Sequence, residues 1–571
     1  VLELNPDQRI AGVLAPLFAL RGPNDLGIGD TLALREFAKW AAALGLRLVQ
    51  ILPVNEPGSD NSPYNIISSM ALDPLTIATL PSELPDLRKK DFDLICSRHD
   101  LEDLRAGPVK YAGVKSLKRE LLTAAYERFR TSASAARRAG FVDFCDAQSE
   151  WLEAYALYRA LVTLHGESEV FSEWPPEHRS LEAATSWRDT LPADERESVD
   201  GLADFHRYVQ WIAHEQWAAT RDHCHHLGVA LMGDVPVGVS VYSCDVWSEP
   251  QIFDLSRSCG APPEKVFAAD PFTEKWGQNW GFPLYDWFAM SHDNFRWWRR
   301  RLEAMRNLFD LLRVDHALGF FRIYSFPWRP EQNMEFLDLD EEQAREKTGG
   351  RLPGFVPRDD STPENEAANC RHGEVLFRIF LEETGPHRIV AEDLGTVPPY
   401  VRPALERLEI PGFKIPQWER DEEDRMIPGA QYQRLSLATY ATHDHPPVKT
   451  FWNAWFAAAQ AGDSGAAAES LSRMNELLIF AGAAPLDAPV EFNASIHEAT
   501  MRGLMAANSW LAVPMITDIL GAEDRFNVPG EIGDANWTAR LGVPTARLNR
   551  EFRRELKVLH QILVQTARIS R

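Results

Sequence analysis

Four short apolar runs in this chain end in carboxyl groups or in residues that work with them. VALMGDVPVG carries Asp234, LFDLLRVDHALG carries Arg313, Asp315 and His316, RIVAEDLG carries Glu392 and Asp393, and LSLATYATHD carries His443 and Asp444. One Asp at such a place is commonly the N-cap of a following helix. Its recurrence behind successive β-branched or apolar runs points instead to acids gathered at strand ends. Two carboxyl groups facing each other across a cleft can break and remake an acetal bond with retention. One attacks the anomeric carbon; the other protonates the departing oxygen and later deprotonates the acceptor.

The neighbours of each acid suggest its part. A nucleophile must stay ionised, and Arg313 stands two residues before Asp315, on the same face of an extended strand, where a guanidinium favours the carboxylate. An acid must hold its proton, and Glu392 follows Ile389-Val390-Ala391, an apolar setting that raises a carboxyl pKa. Asp444, beside His443, suits a third carboxylate that stabilises an oxocarbenium-like state. Asp393 points to the face opposite Glu392 and reads as structural. Asp234 could meet a ligand hydroxyl or cap the next segment.

The rival chemistry is a metal-dependent barrel enzyme in which Asp234, Asp315 and Glu392 hold Mg²⁺. Arg313 argues against it, because a fixed guanidinium seldom sits among the ligands of a cation. The run His223, Cys224, His225 and His226 invites zinc, but adjacent residues on a helix cannot all face one ion. No metal and no cofactor is expected.

These acids need a frame. Apolar runs at 13–18, 46–52, 229–235, 308–314, 388–392, 413–417, 435–441 and 509–514 alternate with helical patterns, as βα units of a parallel sheet do. Eight of them predict a closed (β/α)₈ TIM barrel, whose chemistry sits at the C-terminal strand ends. The spacing predicts a helix over 30–44 with Asp30 as N-cap. The whole chain, 1–571, reads as a single catalytic barrel domain. Within it, 55–226 reads as a mainly helical insertion between strands two and three, and 332–368 as a loop elaboration after strand four. Trp297 and Trp298, in WWRRRLEAMR, are expected to pack their helix on the barrel, with the basic residues as a solvated face.

Composition narrows the partners. Sixty Lys and Arg against 83 Asp and Glu give a formal charge of −23, so nucleic acid or an anionic membrane would meet repulsion and neither is expected as a partner. The 18 Trp, 29 Phe and 12 Tyr serve a core and also suit flat platforms for sugar rings. Six scattered cysteines read as free thiols in a reducing compartment. The first residues lack a charged segment followed by an apolar one, and no run approaches a membrane span, so a cytoplasmic protein is expected.

The strand ends resemble those of the α-amylase clan, and the flanking motifs narrow the likeness to the amylomaltases, or 4-α-glucanotransferases, of glycoside hydrolase family 77. The motifs are LGIGD (26–30), SPYNIISSMALDP (62–74), GDVPVGVS (233–240), DVWSEP (245–250), GAPPEKVFAADPFTEKWGQNWGFPLYDW (260–287), RVDHALG, AEDLG, ATHD, and RFNVPGE with the later NW (525–531, 536–537). The chain departs from the family pattern after ATHD, where His445, Pro446 and Pro447 replace the usual Asn, Asp and Thr, and in the insert AADPFTEKW within the covering loop.

The resemblance implies Asp315 as nucleophile, Glu392 as acid/base and Asp444 as the third carboxylate. It implies Tyr64, Gln278 and Trp280 as sugar contacts, His316 and His443 as donors to sugar hydroxyls, and Asp234 with Arg313 at the cleft. The implied reaction is disproportionation of maltooligosaccharides, amylose or glycogen-type α-1,4-glucans through a β-glucosyl ester, the aromatic loop with Trp276, Trp280 and Phe282 excluding water. A non-catalytic glucan-binding protein on the same scaffold is the remaining alternative, prompted by the altered THDHPP loop.

Overall fold

A computed structural model describes residues 2, 4–263, 270–462, 464–529 and 535–569. In chain order its strands are β1 (Ile10–Leu14), β2 (Leu48–Gln50), β3 (Ala230–Val235), β4 (Phe253–Ala261), β5 (Gln278–Tyr285), β6 (Leu311–Val314), β7 (Ile323–Phe326), β8 (Gly354–Val356), β9 (Ile389–Ala391), β10 (Gly412–Lys414), β11 (Ser436–Ala438) and β12 (Leu511–Ala512). Eight of them close a barrel in the order β1-β12-β11-β10-β9-β6-β3-β2, every pair parallel. β1, IAGVL, is an unbroken apolar run buried at all five positions, as a strand covered on both faces is.

Each of the eight expected runs overlaps one barrel strand, with shifted edges. The first lies at Ile10–Leu14 rather than 13–18, because Pro16, lacking an N–H for the ladder, caps the 3-10 turn Leu17–Ala19. Helix α1 (Thr31–Leu44) starts where predicted: Asp30 accepts from the Leu32 and Ala33 N–H groups at 3.1 and 3.0 Å. It ends at Gly45, in the left-handed region.

Between β2 and β3 lie α2 (Lys89–Cys96), α3 (Leu101–Arg105), α4 (Tyr111–Ser132), α5 (Ala135–Leu164), α6 (Leu181–Thr190) and α7 (Ala193–His226). The long α7 is stitched to the barrel by Trp217, whose indole N–H donates to the Leu308 carbonyl at 3.1 Å. It also pins the loop that follows β2. Gln210 exchanges hydrogen bonds with the backbone of Leu72 at 2.9 and 2.8 Å, while Asp245 accepts from the Ser69 N–H at 2.8 Å. Buried Asn55 closes the other end of the loop by donating to the Ser69 carbonyl at 3.1 Å, and the loop so held carries Tyr64.

The glycine- and proline-rich stretch 260–287, expected to be a covering loop, holds the end of β4 and the whole of β5. With β7 and β8 they form an antiparallel sheet in the order β5-β4-β7-β8; residues 264–269 of that stretch lie outside the described residues. The segment 332–368 contains short helices, Asn333–Phe336 and Glu341–Lys347, and β8. Phe272, Trp276, Phe326, Trp328 and Phe336 form a core of their own in this region.

Trp297 and Trp298 pack their helix on the barrel as expected, both buried in the main core. One basic residue of that helix departs from the solvated face: Arg301 is buried, donates to the Pro236 carbonyl at 2.9 Å and lies over both indoles. Among the described residues no helix is long and apolar enough to cross a membrane.

Candidate active site

β3 ends at Asp234-Val235, β6 delivers Arg313 with Asp315 directly beyond it, and β9 is followed by Glu392. The parallel register sets Asp234 opposite Arg313 and Arg313 opposite Val390. Three carboxyl groups consequently meet one guanidinium. Nη1 of Arg313 donates to both oxygens of Asp234 at 2.7 and 2.6 Å and to Asp315 Oδ1 at 3.0 Å, while Nη2 lies 3.5 Å from Glu392 Oε1. Arg313 thus occupies the place a cation bound by these three carboxylates would take.

Asp234 is completely buried and both its oxygens are engaged, by Arg313 and by the Tyr64 hydroxyl at 2.6 Å. In this structure its side chain orients Arg313 and Tyr64. Burial pushes its pKa up to about 6, Arg313 opposing and Asp315 adding to the rise. Asp315 and Glu392 keep some exposure, at 18% and 15% of the side chain, so ligand can reach both.

The two reach-in acids sit in different surroundings. Asp315 accepts from Arg313 and, at 3.2 Å, from the Val237 N–H. Glu392 has the longer contact to Arg313, and burial pushes its pKa up to about 8, with the Asp315 charge working in the same direction against Arg313. His316 takes a left-handed conformation, φ 43°, and its N–H donates to Glu392 Oε2 at 2.8 Å. Burial lowers the His316 imidazole to about 4, so the ring is neutral at pH 7.

Tyr64 connects this group to the fourth strand end. Its ring stacks on His443, centroids 4.9 Å apart, and Trp537 stands 5.8 Å from both rings. His443 Nε2 is 3.3 Å from Asp444 Oδ2. Asn527 donates to Asp444 Oδ1 at 2.6 Å, and Arg525 donates to the Asp444 and Asn527 carbonyls. Burial works to raise the Asp444 carboxyl, but His443, Asn527 and His445 together hold it below its ordinary value.

The unusual residues after Asp444 are firmly held. His445 Nδ1 is 2.9 Å from Thr442 Oγ1 and its ring meets Trp418 edge-on at 4.7 Å. Pro447 precedes the helix Val448–Ala461, whose first N–H donates to buried Asp518 at 2.8 Å.

Gln278 and Trp280 arrive on β5. Trp280 donates to Gln278 Oε1 at 3.2 Å and meets the His316 ring edge-on at 4.9 Å, which brings the antiparallel sheet to the barrel's acids. Phe282 lies over Gly238, where a Cβ would come 2.8 Å from the ring, so only glycine admits this contact. Trp276 stays away, buried against Trp328 with its N–H on the Phe336 carbonyl.

Tyr64, Asp234, Arg313, Asp315, His316, Glu392, His443 and Asp444 form one connected network, and Gln278 joins it through Trp280. The sequence reading assigned no part to Arg525, Asn527 or Trp537, although the motifs holding them were noted. Gly530 and Glu531, which end RFNVPGE, lie outside the described residues.

Known proteins share this architecture. The family profile described as 4-alpha-glucanotransferase matches residues 15–545, spanning all four strand ends. The 4-alpha-glucanotransferases of Chlamydia trachomatis and Chlamydia muridarum are 30% and 29% identical over 549 and 546 residues, covering 93% of this chain and 90% of each relative. That of Thermus thermophilus is 28% identical over 544 residues, covering 93% and 95%. An amylomaltase from Corynebacterium glutamicum is similar in structure at a TM-score of 0.76 and 23% identity, covering 99% of this chain and 76% of that one. The amylomaltase of Streptococcus agalactiae in complex with acarbose gives 0.73 at 23% identity, covering 99% and 100%. With its profile match running nearly end to end, the chain belongs to the 4-alpha-glucanotransferase family.

Proposed function

We propose that this protein transfers α-1,4-glucan segments between maltooligosaccharides, amylose or glycogen-type chains by two successive displacements with net retention. The observation that carries the reading is Arg313, whose two terminal nitrogens reach Asp315 and Glu392, carboxyl groups in unlike environments. In the first step Asp315 Oδ bonds to the anomeric carbon, the glycosidic C–O bond breaks, and Glu392 gives its proton to the departing oxygen. In the second, the acceptor's 4-hydroxyl gives its proton to Glu392, its oxygen bonds to the anomeric carbon, and the ester to Asp315 breaks. Each step inverts the carbon, so two restore it.

The other residues bind and shield. Asp444 stabilises the oxocarbenium-like charge, His443 and the neutral His316 donate to sugar hydroxyls, and Tyr64 walls the donor side. Gln278 and Trp280 contact the glucan from β5, and the aromatic cover favours an acceptor glucan over water. Asp234 serves as a positioning residue for Arg313 and Tyr64. In this reading the barrel, with 55–226 and 332–368 as its elaborations, works as one catalytic unit. A neutral polymer suits a protein of net charge −23, and six free thiols suit a cytoplasmic setting.

The test is incubation with maltotriose in the presence of a chelator, followed by chromatography. A ladder of longer maltooligosaccharides with released glucose is expected. Glucose and maltose alone would mean hydrolysis, and an unchanged chromatogram would overturn the reading in favour of binding without turnover or a metal requirement.

A further inference from the structure

In a (β/α)₈ barrel a helix ordinarily follows each strand and covers its outer face. The connection from β10 to β11, residues 415–435, holds only the 3-10 turn Gly429–Gln431. A cavity of about 240 Å³ remains on the outside of β10, between the helix Val401–Arg407 and the segment 433–435. Its polar walls are Asp393, Arg402, Glu406, Lys414, Gln433 and Arg434. Leu405, Ile410 and Leu435 supply an apolar side.

Two of the polar groups, Asp393 and Lys414, are built in. Asp393, 2% exposed, accepts from the Phe413 N–H at 2.6 Å and from Arg402 Nε at 3.0 Å. It lies across Gly412, where a Cβ would come 2.7 Å from Asp393 Oδ1. Lys414, 8% exposed, gives one hydrogen bond, to Glu419 Oε2 at 2.9 Å. An ammonium has three donors, so two remain for an occupant that accepts hydrogen bonds.

Charge and size define the occupant. Arg402, Lys414 and Arg434 are balanced by Asp393, Glu406 and the adjoining Glu419, which pairs with both Arg402 and Lys414. The site therefore offers no net charge to an anion or a cation. The volume of about 240 Å³ lies below the ~300 Å³ where sites for larger organic ligands begin. Carboxylates that accept, guanidinium and ammonium groups that donate, and an aliphatic wall match a single polyhydroxylated ring.

We propose that this cavity binds one neutral monosaccharide. Glucose is the sugar to use, because the transfer proposed above releases it; that choice alone rests on the functional reading. The site is separate from the cleft, since Asp393 projects to the outside of the barrel while Glu392, one residue earlier, reaches Arg313 inside.

The experiment is calorimetric titration of glucose into full-length Asp315→Asn protein saturated with maltoheptaose, which keeps glucose out of the cleft. One glucose per chain is expected. Gln433→Trp, which fills the cavity from an exposed position, weakens binding by about tenfold or more, and Glu406→Ala, which removes one acceptor, weakens it by about threefold to tenfold. Unchanged melting temperatures show that both variants are folded. Absence of glucose binding, or binding untouched by both substitutions, overturns the proposal, as does inorganic phosphate displacing bound glucose. Whether wild-type protein redistributes maltoheptaose is read separately by chromatography, so failure of the transferase reading is distinguishable. In that case glucose is titrated without the oligosaccharide, and Gln433→Trp still decides.

Discussion

Arg313 and Asp234 form a buried ion pair, 2.6 Å from nitrogen to oxygen, and the same nitrogen also reaches Asp315. The pair is the base on which the proposed chemistry stands, because Asp234 fixes the guanidinium that the reacting carboxyl groups share.

Removing one partner of such a pair leaves an uncompensated buried charge. Arg313→Met is expected to lose about 3–5 kcal/mol of stability in denaturant unfolding. Arg313→Lys keeps the charge but not the fork that spans Asp315 and Glu392, so it should keep more stability while losing most transfer activity. Equal stability of Arg313→Met and wild type would mean that Asp234 is accommodated neutral.

Glu392 sets the alkaline limb of activity. Transfer is expected to fall as pH rises past about 8, where the carboxyl loses its proton. Glu392→Gln should slow the first step by a factor on the order of 10²–10⁴ and abolish that limb. The same shift bears on stability. The folded pKa lies above the ordinary 4.5, so the folded chain holds the proton more tightly. That contribution is present below pH 4.5 and is lost as pH rises through about 8. Unfolding measured across this range should fall more steeply for wild type than for Glu392→Gln.

Asn527 holds the Asp444 carboxylate through a 2.6 Å hydrogen bond. Deleting a hydrogen bond to a charged group costs roughly 1.5–3 kcal/mol, so Asn527→Ala should lower kcat/KM roughly 10- to 150-fold. Because Asn527 helps to hold the Asp444 pKa down, its loss should move the acid limb of the pH profile to higher pH. An unmoved acid limb would leave Asn527 a structural part only.

Trp280, edge-on to His316, is the aromatic residue through which β5 meets the acids. Trp280→Ala should raise the share of hydrolysis, read as maltose and glucose without longer products from maltotriose, by opening the glucosyl ester to water. Unchanged product ratios would move the shielding role elsewhere on the sheet.

The acids at the ends of four apolar runs were legible because strand placement is local: a run of β-branched and apolar residues, then a polar one, marks where a barrel strand stops. The two-residue spacing of Arg313 and Asp315 likewise put both on one face, since strand geometry repeats every second residue. The α1 boundary and the packing of Trp297 and Trp298 followed from capping and helical periodicity.

What the sequence by itself determined was therefore the barrel, the carboxyl groups and the family. Tertiary structure alone decided the partners. Asn527 meets Asp444 across 83 residues, Tyr64 meets Asp234 across 170, and no local pattern encodes either distance. Asp234 became the buried counter-ion of Arg313 and Arg301 left the solvated face for the Pro236 carbonyl, because burial of a polar group is permitted by whichever partner the fold supplies. Part of the stretch read as a loop became β5 for the same reason: a glycine-rich segment forms a strand when a neighbouring strand, here β4, completes its hydrogen bonds.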